Sequence, residues 1–250
     1  MNLIVDELLI NYQTIGEGKD VLLIHGWGDD HRALLKSFQN LSKKYKLTAL
    51  DLPGFGLSQI PNQPFDTLKY AKIIQSFVQK LKLNPDLIIA HSFGGQVAIC
   101  ALSNNYLKTN KLILIASAGI REYKQGKKVF IKLLAKGGKL FLVPFPKSIQ
   151  QKVTKKIYSK IGSDLYLKPK LKETFKNILK EDISEDATKI TSPTLLIYGE
   201  QDNQTPPIFG QKLNQLIQSS SLEIIGGAGH FVFIDQQDKV LKLVTGFIND

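Results

Sequence analysis

Short apolar runs that alternate with helical segments constrain the fold of this 250-residue chain more than any other feature. Several runs are apolar at consecutive positions, as in strands of a parallel sheet that is covered on both faces. The predicted strands are 21–24, 47–50, 87–90, 112–116, 194–198 and 222–225. Such alternation of strand and helix predicts an α/β fold with a parallel sheet and right-handed crossovers.

Helical periodicity is found between these runs and near the C-terminus. The predicted helices are 31–44, 66–82, 93–105, 207–218 and 237–248, and two earlier runs, 3–5 and 8–12, are expected to pair as an antiparallel start. The alternation stops near Gly119 and resumes near Ile190. We therefore expect a core formed by residues 1–119 and 190–250, with a helical cap inserted at 120–189.

The positive charge of the chain is concentrated in this insert. The whole sequence has 33 Lys and Arg against 22 Asp and Glu, and residues 121–180 contain 17 of the basic residues but only three acidic ones. Such a segment suits an acidic partner, either an acidic carrier protein or an anionic membrane surface. The simpler interpretation is that the lysines only solvate an exposed helical surface. No nucleic acid is expected, because no recognised module is present and the remaining chain is slightly acidic.

Cysteine content and hydropathy limit the class of protein further. Cys100 is the only cysteine, so no intramolecular disulfide can form. The first residues lack the basic region of a signal peptide, and no run reaches the roughly 18 apolar residues of a membrane span. These features predict a soluble, cytoplasmic protein.

The segment 87–96, Leu-Ile-Ile-Ala-His-Ser-Phe-Gly-Gly-Gln, carries the strongest chemical signal. An apolar strand runs into Ser92 and a helix follows at once, which is the context of a nucleophile elbow. This turn needs small residues two positions before and after the serine, because strand and helix backbones pass closely there. Ala90 and Gly94 occupy those positions, although glycine is usual at the first. Ser92 is the predicted nucleophile.

A nucleophilic serine needs a base and an acid that orients the base. His230 is the predicted base, because it lies in a glycine-rich loop after the last strand, where a parallel sheet places its chemistry. The acid is expected between Ser92 and His230, just past a strand. Asp202 is preferred for its short side chain on a loop, and Glu200 is the competing candidate.

The negative oxygen that forms during attack needs two preorganised N–H donors. One is the backbone N–H of Phe93, the residue after the nucleophile. The other is expected in the loop after an early strand, where residues 25–28 are His-Gly-Trp-Gly and the N–H of Trp27 is the candidate. His25 itself is interpreted as structural. This chemistry requires no metal ion and no organic cofactor.

Five landmarks, in this order, make the chain resemble the α/β-hydrolase superfamily over essentially its full length. They are residues 25–28, the Asp-Leu-Pro-Gly-Phe-Gly-Leu-Ser of 51–58, the His-Ser-Phe-Gly-Gly of 91–95, residues 193–202 and the Gly-His of 229–230. The resemblance implies the α/β-hydrolase fold: a mostly parallel eight-stranded sheet, helices on both faces and a helical cap after the sixth strand. A serine at position 92 does not fit the dehalogenase and epoxide-hydrolase branches, whose nucleophile is an aspartate.

The leading hypothesis is a serine hydrolase that cleaves a small carboxylic ester through an acyl-enzyme on Ser92. Residues 25–28 together with 51–56 also resemble pimeloyl-carrier-protein methyl ester esterases, so an acyl-carrier (thio)ester or methyl ester is an alternative substrate. A C–C bond hydrolase is a further alternative, although that branch typically has Gly-Asn-Ser where this chain has Ala-His-Ser. The last alternative is a non-catalytic, receptor-like member of the fold. The sequence leaves the acyl chain, the leaving group and the oligomeric state open.

Overall fold

A computed structural model describes residues 1–121 and 169–249. The strands in these residues form one eight-stranded sheet in the order β1-β2-β4-β3-β5-β6-β7-β8. The strands are β1 (Asn2–Val5), β2 (Leu8–Ile15), β3 (Lys19–Ile24), β4 (Tyr45–Leu50), β5 (Leu87–His91), β6 (Lys111–Ile115), β7 (Thr194–Gly199) and β8 (Ser220–Ile225). Within the described ranges, no helix is both long and apolar enough to span a membrane.

Strand direction determines where loops converge. The first hairpin, β1 with β2, is antiparallel, and β2 is antiparallel to β4. Every other neighbouring pair is parallel. The predicted antiparallel start and parallel sheet are therefore confirmed. As a consequence, the loops that follow β3, β5, β6, β7 and β8 all leave from the same edge of the sheet.

Helices cover both faces of the sheet. They are α1 (His31–Phe38), α2 (Thr67–Lys80), α3 (Phe93–Ser103), α4 (Lys172–Ile178), α5 (Ser184–Thr188), α6 (Pro207–Leu216), α7 (Val232–Asp235) and α8 (Gln237–Asn249), with 3-10 turns at Gln39–Lys43 and Pro169–Leu171. Alternate strand residues point to opposite faces. Leu22 and Ile24 pack into the apolar layer that includes residues of α2, α3 and α6, and Val21 and Leu23 pack into the layer with α1 and α8.

Local sequence explains where two of these helices begin. Asp66 precedes α2, and its carboxylate accepts a hydrogen bond from the backbone N of Lys69 at 2.8 Å. Asp30 precedes α1 and accepts from the backbone N of Arg32 at 2.9 Å. Both are typical helix caps, in which a side-chain oxygen satisfies a free N–H of the first turn.

The C-terminal part of the predicted insert packs against the core. Leu171, Ile178 and Ile183 are each at most 5% exposed. The ring of Phe175 lies 5.0 Å from that of Trp27, between ring centroids. Residues 122–168 lie outside the described residues, so the division into a core and a 120–189 cap stays a prediction.

Candidate active site

Ser92 lies on a sharp turn between β5 and α3. Its φ of +50° and ψ of −115° are rare for a residue with a side chain. Hydrogen bonds to the neighbouring segment fix the turn: the N–H of Ser92 donates to the carbonyl of Ile115, and its carbonyl accepts from the N–H of Ala118. Because β6 holds the backbone from the side, the serine stays in this strained conformation at the carboxyl edge of the sheet.

Close packing at the turn explains its small residues. A Cβ at Gly94 would overlap the carbonyl oxygens of Ile24 and His25, so α3 lies directly against the end of β3. Ala90 is fully buried and pairs with Ile24 in the sheet. Alanine is therefore accommodated at the first small position, whereas the second has room only for glycine.

The structure brings Ser92, His230 and Asp202 into one hydrogen-bonded chain. Nε2 of His230 lies 3.1 Å from Oγ of Ser92, although 138 positions separate these residues. Nδ1 of His230 lies 2.8 Å from Oδ2 of Asp202. The loops after β5, β7 and β8 supply one residue each, so the convergence follows from the parallel strand order.

Asp202 is surrounded by hydrogen-bond donors. Its Oδ1 accepts from the backbone N–H groups of Gln204 and Thr205, and its Oδ2 accepts from the hydroxyl of Thr205 at 2.7 Å. Burial alone would raise the pKa of Asp202, but the hydrogen bonds from His230 and Thr205 outweigh it and lower the pKa below its ordinary value. The carboxylate is thus ionised when it faces the imidazole.

Glu200 takes a different position from Asp202. Its side chain is exposed, and Oε2 accepts a hydrogen bond from the backbone N of Gly227 at 3.3 Å. Of the two candidate acids, Asp202 is the one that contacts His230. Sequence reasoning did not identify Thr205, whose hydroxyl supports Asp202, because a threonine three residues after an acid in a loop is common.

The loop that contains Trp27 passes directly against the nucleophile. A Cβ at Gly26 would lie only 3.1 Å from Cβ of Ser92. Phe93 is the first residue of α3, so its N–H belongs to the helix terminus, where backbone donors have no partner inside the helix. The rings of Trp27 and Phe93 meet edge to face with centroids 5.6 Å apart. Both predicted oxyanion donors therefore belong to segments that border Ser92.

His25 holds this loop in place. It is fully buried, its Nε2 accepts from the backbone N of Leu52 at 2.9 Å, and its Nδ1 lies 2.7 Å from the carbonyl oxygen of Gly26. Burial lowers the pKa of His25, so the neutral ring donates at one nitrogen and accepts at the other. These contacts fit the structural role expected from the sequence.

Among the described residues, three side chains near α1 lie close enough together to hold a metal ion. One potential ligand atom each of Asp30, His31 and Asp51 lies within 4.8 Å of the others. The oxygens of Asp51 already accept hydrogen bonds from the backbone of His31 and Leu57, and Nδ1 of His31 lies 2.7 Å from Oδ1 of Asp51. Asp51 therefore acts as a hub that joins the loop after β4 to the start of α1.

A cavity of about 460 Å³ lies at the opposite edge of the sheet. Its lining includes Asp86, Asn110 and Ser192, which precede β5, β6 and β7. The amino ends of parallel strands thus form this cavity, and it is separate from the site around Ser92.

Comparison with known proteins shows the family of the chain. A family model described as "Alpha/beta hydrolase family" matches residues 21–243. The chain is 24% identical to the "AB hydrolase superfamily protein YisY" of Bacillus subtilis (strain 168), covering 95% of this chain and 94% of that protein. It is 27% identical to a pimeloyl-[acyl-carrier protein] methyl ester esterase of Neisseria meningitidis serogroup C, covering 92% and 93%. Among solved structures, the esterase EaEST from Exiguobacterium antarcticum superposes with a TM-score of 0.77 at 23% identity, covering 100% of this chain and 99% of the other.

Proposed function

We propose that this chain, which belongs to the alpha/beta hydrolase family and is a hydrolase, cleaves carboxylic esters through a covalent acyl-enzyme on Ser92. The observation that carries the proposal is the hydrogen-bonded chain from Ser92 through His230 to Asp202, with distances of 3.1 and 2.8 Å. A nucleophile, a base and an orienting acid within hydrogen-bond reach of one another are the parts that acyl transfer requires.

The proposed reaction begins when His230 removes the hydroxyl proton of Ser92. The serine oxygen attacks the ester carbonyl, and the carbonyl oxygen becomes negative. His230 then gives the proton to the departing alcohol, which leaves an acyl group on Ser92. Water, activated by the same histidine, attacks the acyl group and releases the acid. The ionised Asp202 fixes the tautomer of His230 and stabilises its charged form.

The backbone N–H groups of Trp27 and Phe93 are the proposed donors to the negative oxygen. Two features support this role. Phe93 begins a helix, whose N-terminal N–H groups favour negative charge. Trp27 follows Gly26, which packs against Ser92, and this proximity of the loop to the nucleophile supports a role for its N–H as a donor.

The test is hydrolysis of p-nitrophenyl esters by the Ser92→Ala variant. We expect kcat to fall by roughly three orders of magnitude or more, because only binding and oxyanion stabilisation remain. Ser219→Ala is the matched control, since Ser219 is exposed beside the amino end of β8 and should leave kcat unchanged. A fluorophosphonate should label the wild-type protein and not Ser92→Ala. Full activity of Ser92→Ala would refute the proposal.

A second candidate substrate is an ester carried by an acyl-carrier protein. Two observations favour it: the relative from Neisseria meningitidis bears the name of such an esterase, and residues 121–180 hold 17 basic against three acidic residues. Carrier proteins that are acidic would be attracted to a basic segment, and the attraction would weaken with salt.

Carrier docking predicts a measurable preference. A pimeloyl methyl ester linked to acyl-carrier protein should be hydrolysed with a higher kcat/KM than methyl pimelate, and the advantage should shrink between 50 mM and 500 mM NaCl. Reversing charge at Lys172 and Lys176, which belong to α4, should reduce the advantage without changing the rate on the free ester. Equal rates for both substrates at every salt concentration would contradict carrier docking. A higher rate of hydrolysis in the presence of anionic vesicles, without a preference for the carrier-linked ester, would instead favour a membrane surface as the partner of the basic segment.

A further inference from the structure

His91 lies directly before the nucleophile and is buried, with 1% of its surface exposed. Its Nε2 lies 3.1 Å from the backbone carbonyl oxygen of His230, 139 positions further along the chain. A carbonyl oxygen only accepts hydrogen bonds, so Nε2 of His91 carries the proton. The side chain therefore ties the end of β5 to the loop that presents His230.

We propose that His91 is a positioning residue, whose hydrogen bond to the backbone of His230 holds the imidazole of His230 in line with Ser92. This inference rests on the proposed function, because it gives His91 a task only where His230 is the catalytic base. The other ring nitrogen of His91 faces the loop of residues 25–28, where a Cβ on Gly26 would lie 2.9 Å from Nδ1. Because His91 is only 1% exposed, it acts on the reaction through His230 and not by contact with substrate.

The unsatisfied nitrogen of His91 is a second argument. Among the described residues, Nδ1 of His91 has no hydrogen-bond partner. Burying an unpaired polar atom costs free energy, and an apolar side chain of similar size would avoid that cost. The ring packs against Phe231 and Phe233, with centroids 5.2 and 5.0 Å away, so its surroundings are suited to an apolar residue. The bond from Nε2 accounts for a histidine here.

The charges around His91 keep it neutral. The titratable groups that act on it are His230, Asp202 and His25. Burial and the nearby His230 lower the pKa of His91 to about 3, and the attraction of Asp202 offsets this only in part. The ring centroids of His91 and His230 are 4.8 Å apart. When His230 takes the proton of Ser92, a neutral neighbour at this distance keeps donating to its backbone and does not repel it.

The test compares His91→Gln with His91→Asn. The amide nitrogen of glutamine reaches about as far as Nε2 and can donate to the carbonyl of His230, whereas asparagine is one methylene too short. On p-nitrophenyl acetate we expect His91→Asn to lower kcat roughly tenfold or more, with KM within about twofold, because one positioning hydrogen bond is lost. His91→Gln should keep at least about a third of the wild-type kcat on the same reasoning. It should also keep the midpoint of the acid limb of kcat/KM, since His91 does not titrate there.

The outcomes separate positioning from other roles. Wild-type kcat in His91→Asn, or equal losses in both variants, overturns the proposal, as does a shifted acid limb in His91→Gln. Melting temperatures establish that each variant folds. If His91→Asn does not fold, His91→Phe, which keeps the ring and lacks the donor, takes its place with the same expected loss. Failure of the proposed function is seen separately, as a wild-type protein that neither hydrolyses the ester nor is labelled at Ser92, and it refutes both.

Discussion

The hydroxyl oxygen of Thr205 lies 2.7 Å from Oδ2 of Asp202, the same oxygen that contacts Nδ1 of His230. Thr205 also lies 2.9 Å from the carbonyl oxygen of Ala116, which follows β6. Oδ2 of Asp202 thus lies within hydrogen-bond distance of both the proposed catalytic base and Thr205. The hydroxyl has one proton, so Thr205 donates it either to Asp202 or to the carbonyl of Ala116. The backbone N–H of Thr205 donates to Oδ1 of the same carboxylate at 3.0 Å, so Thr205 contacts both oxygens of Asp202 and orients the group.

Replacing Thr205 with valine should lower kcat roughly tenfold. A hydrogen bond to a charged group contributes about 1.5–3 kcal/mol, and part of that stabilisation holds Asp202 against the imidazole. Steady-state kinetics on p-nitrophenyl acetate measure the effect. Thr205→Ser keeps the hydroxyl and is the control, with an expected kcat near that of the wild type. Wild-type kcat in Thr205→Val would show that Asp202 needs no such support.

Asp202 and Glu200 should differ sharply in their effect on turnover. We expect Asp202→Asn to reduce kcat by roughly 10³–10⁴, because an asparagine stabilises the wrong tautomer of the base. Glu200→Gln should keep kcat within about twofold of the wild type. Within the described part of the chain, the exposed carboxylate of Glu200 accepts a hydrogen bond only from the backbone N–H of Gly227. A large loss of kcat in Glu200→Gln with a small loss in Asp202→Asn would show that Glu200, and not Asp202, orients His230.

The lowered pKa of His91 predicts that the folded protein loses stability in mild acid. Its ordinary pKa of 6.5 falls to about 3 in the folded protein because of burial. Between these values the unfolded chain binds a proton and the native chain does not, so unfolding is favoured as pH falls. The free energy of unfolding should therefore decrease by up to about 1.4 kcal/mol per pH unit below pH 6.5. Urea unfolding at pH 7, 6, 5 and 4 measures this slope.

His91→Gln is the control for this pH dependence. It removes the titrating ring and keeps a side chain that can donate, so its free energy of unfolding should fall less steeply over the same range. Other groups, including His25, contribute equally to both proteins, and the difference between the two curves isolates His91. Parallel curves from pH 7 to pH 4 would contradict the lowered pKa.

Gly94 and Gly246 provide a matched pair of glycines within helices. Gly94→Ala should lower the free energy of unfolding by about 1–3 kcal/mol and reduce kcat, because the new Cβ pushes α3 away from the carbonyls of Ile24 and His25. Gly246 lies in α8 with nothing within 4 Å of its added Cβ. Gly246→Ala should raise the free energy of unfolding by about 0.5–1 kcal/mol and leave kcat unchanged. Similar melting temperatures for the two variants would contradict the close contact at Gly94.

Apolar patterning predicts strand positions well and strand starts less well. The predicted strand 21–24 is β3, which begins two residues earlier, at Lys19. Likewise, β4 begins at Tyr45 and β8 at Ser220, before the apolar run of each. The residues at these amino ends are polar, except Tyr45, which packs against the layer with α1 and α8. Hydrogen bonding, which the pattern does not report, defines those ends.

Chain order predicts the residues that meet at the site, but it does not predict the side chains that hold those residues in place. Ser92, Asp202 and His230 each follow a strand, so a parallel sheet brings them to one edge. The contacts of Thr205 and His91 depend on how the loops fold, and neither residue type has a spacing that reveals them. The short helix α7, of four residues after Phe231, is also too brief for a periodic signal.

The contact between the tilted rings of Trp27 and Phe175 determines where segments can be exchanged between members of this family. Phe175 contacts Trp27 from α4, and Leu171, which ends the 3-10 turn before α4, packs against Gly54 of the core. A chimera that exchanged the whole block 120–189 would remove Phe175, one of the aromatic neighbours of Trp27, and would expose core surface that Leu171 covers. A C-terminal junction placed before Leu171 leaves both contacts in place, so the segment that precedes it can be exchanged without removing the side chains that pack against Trp27 and Gly54.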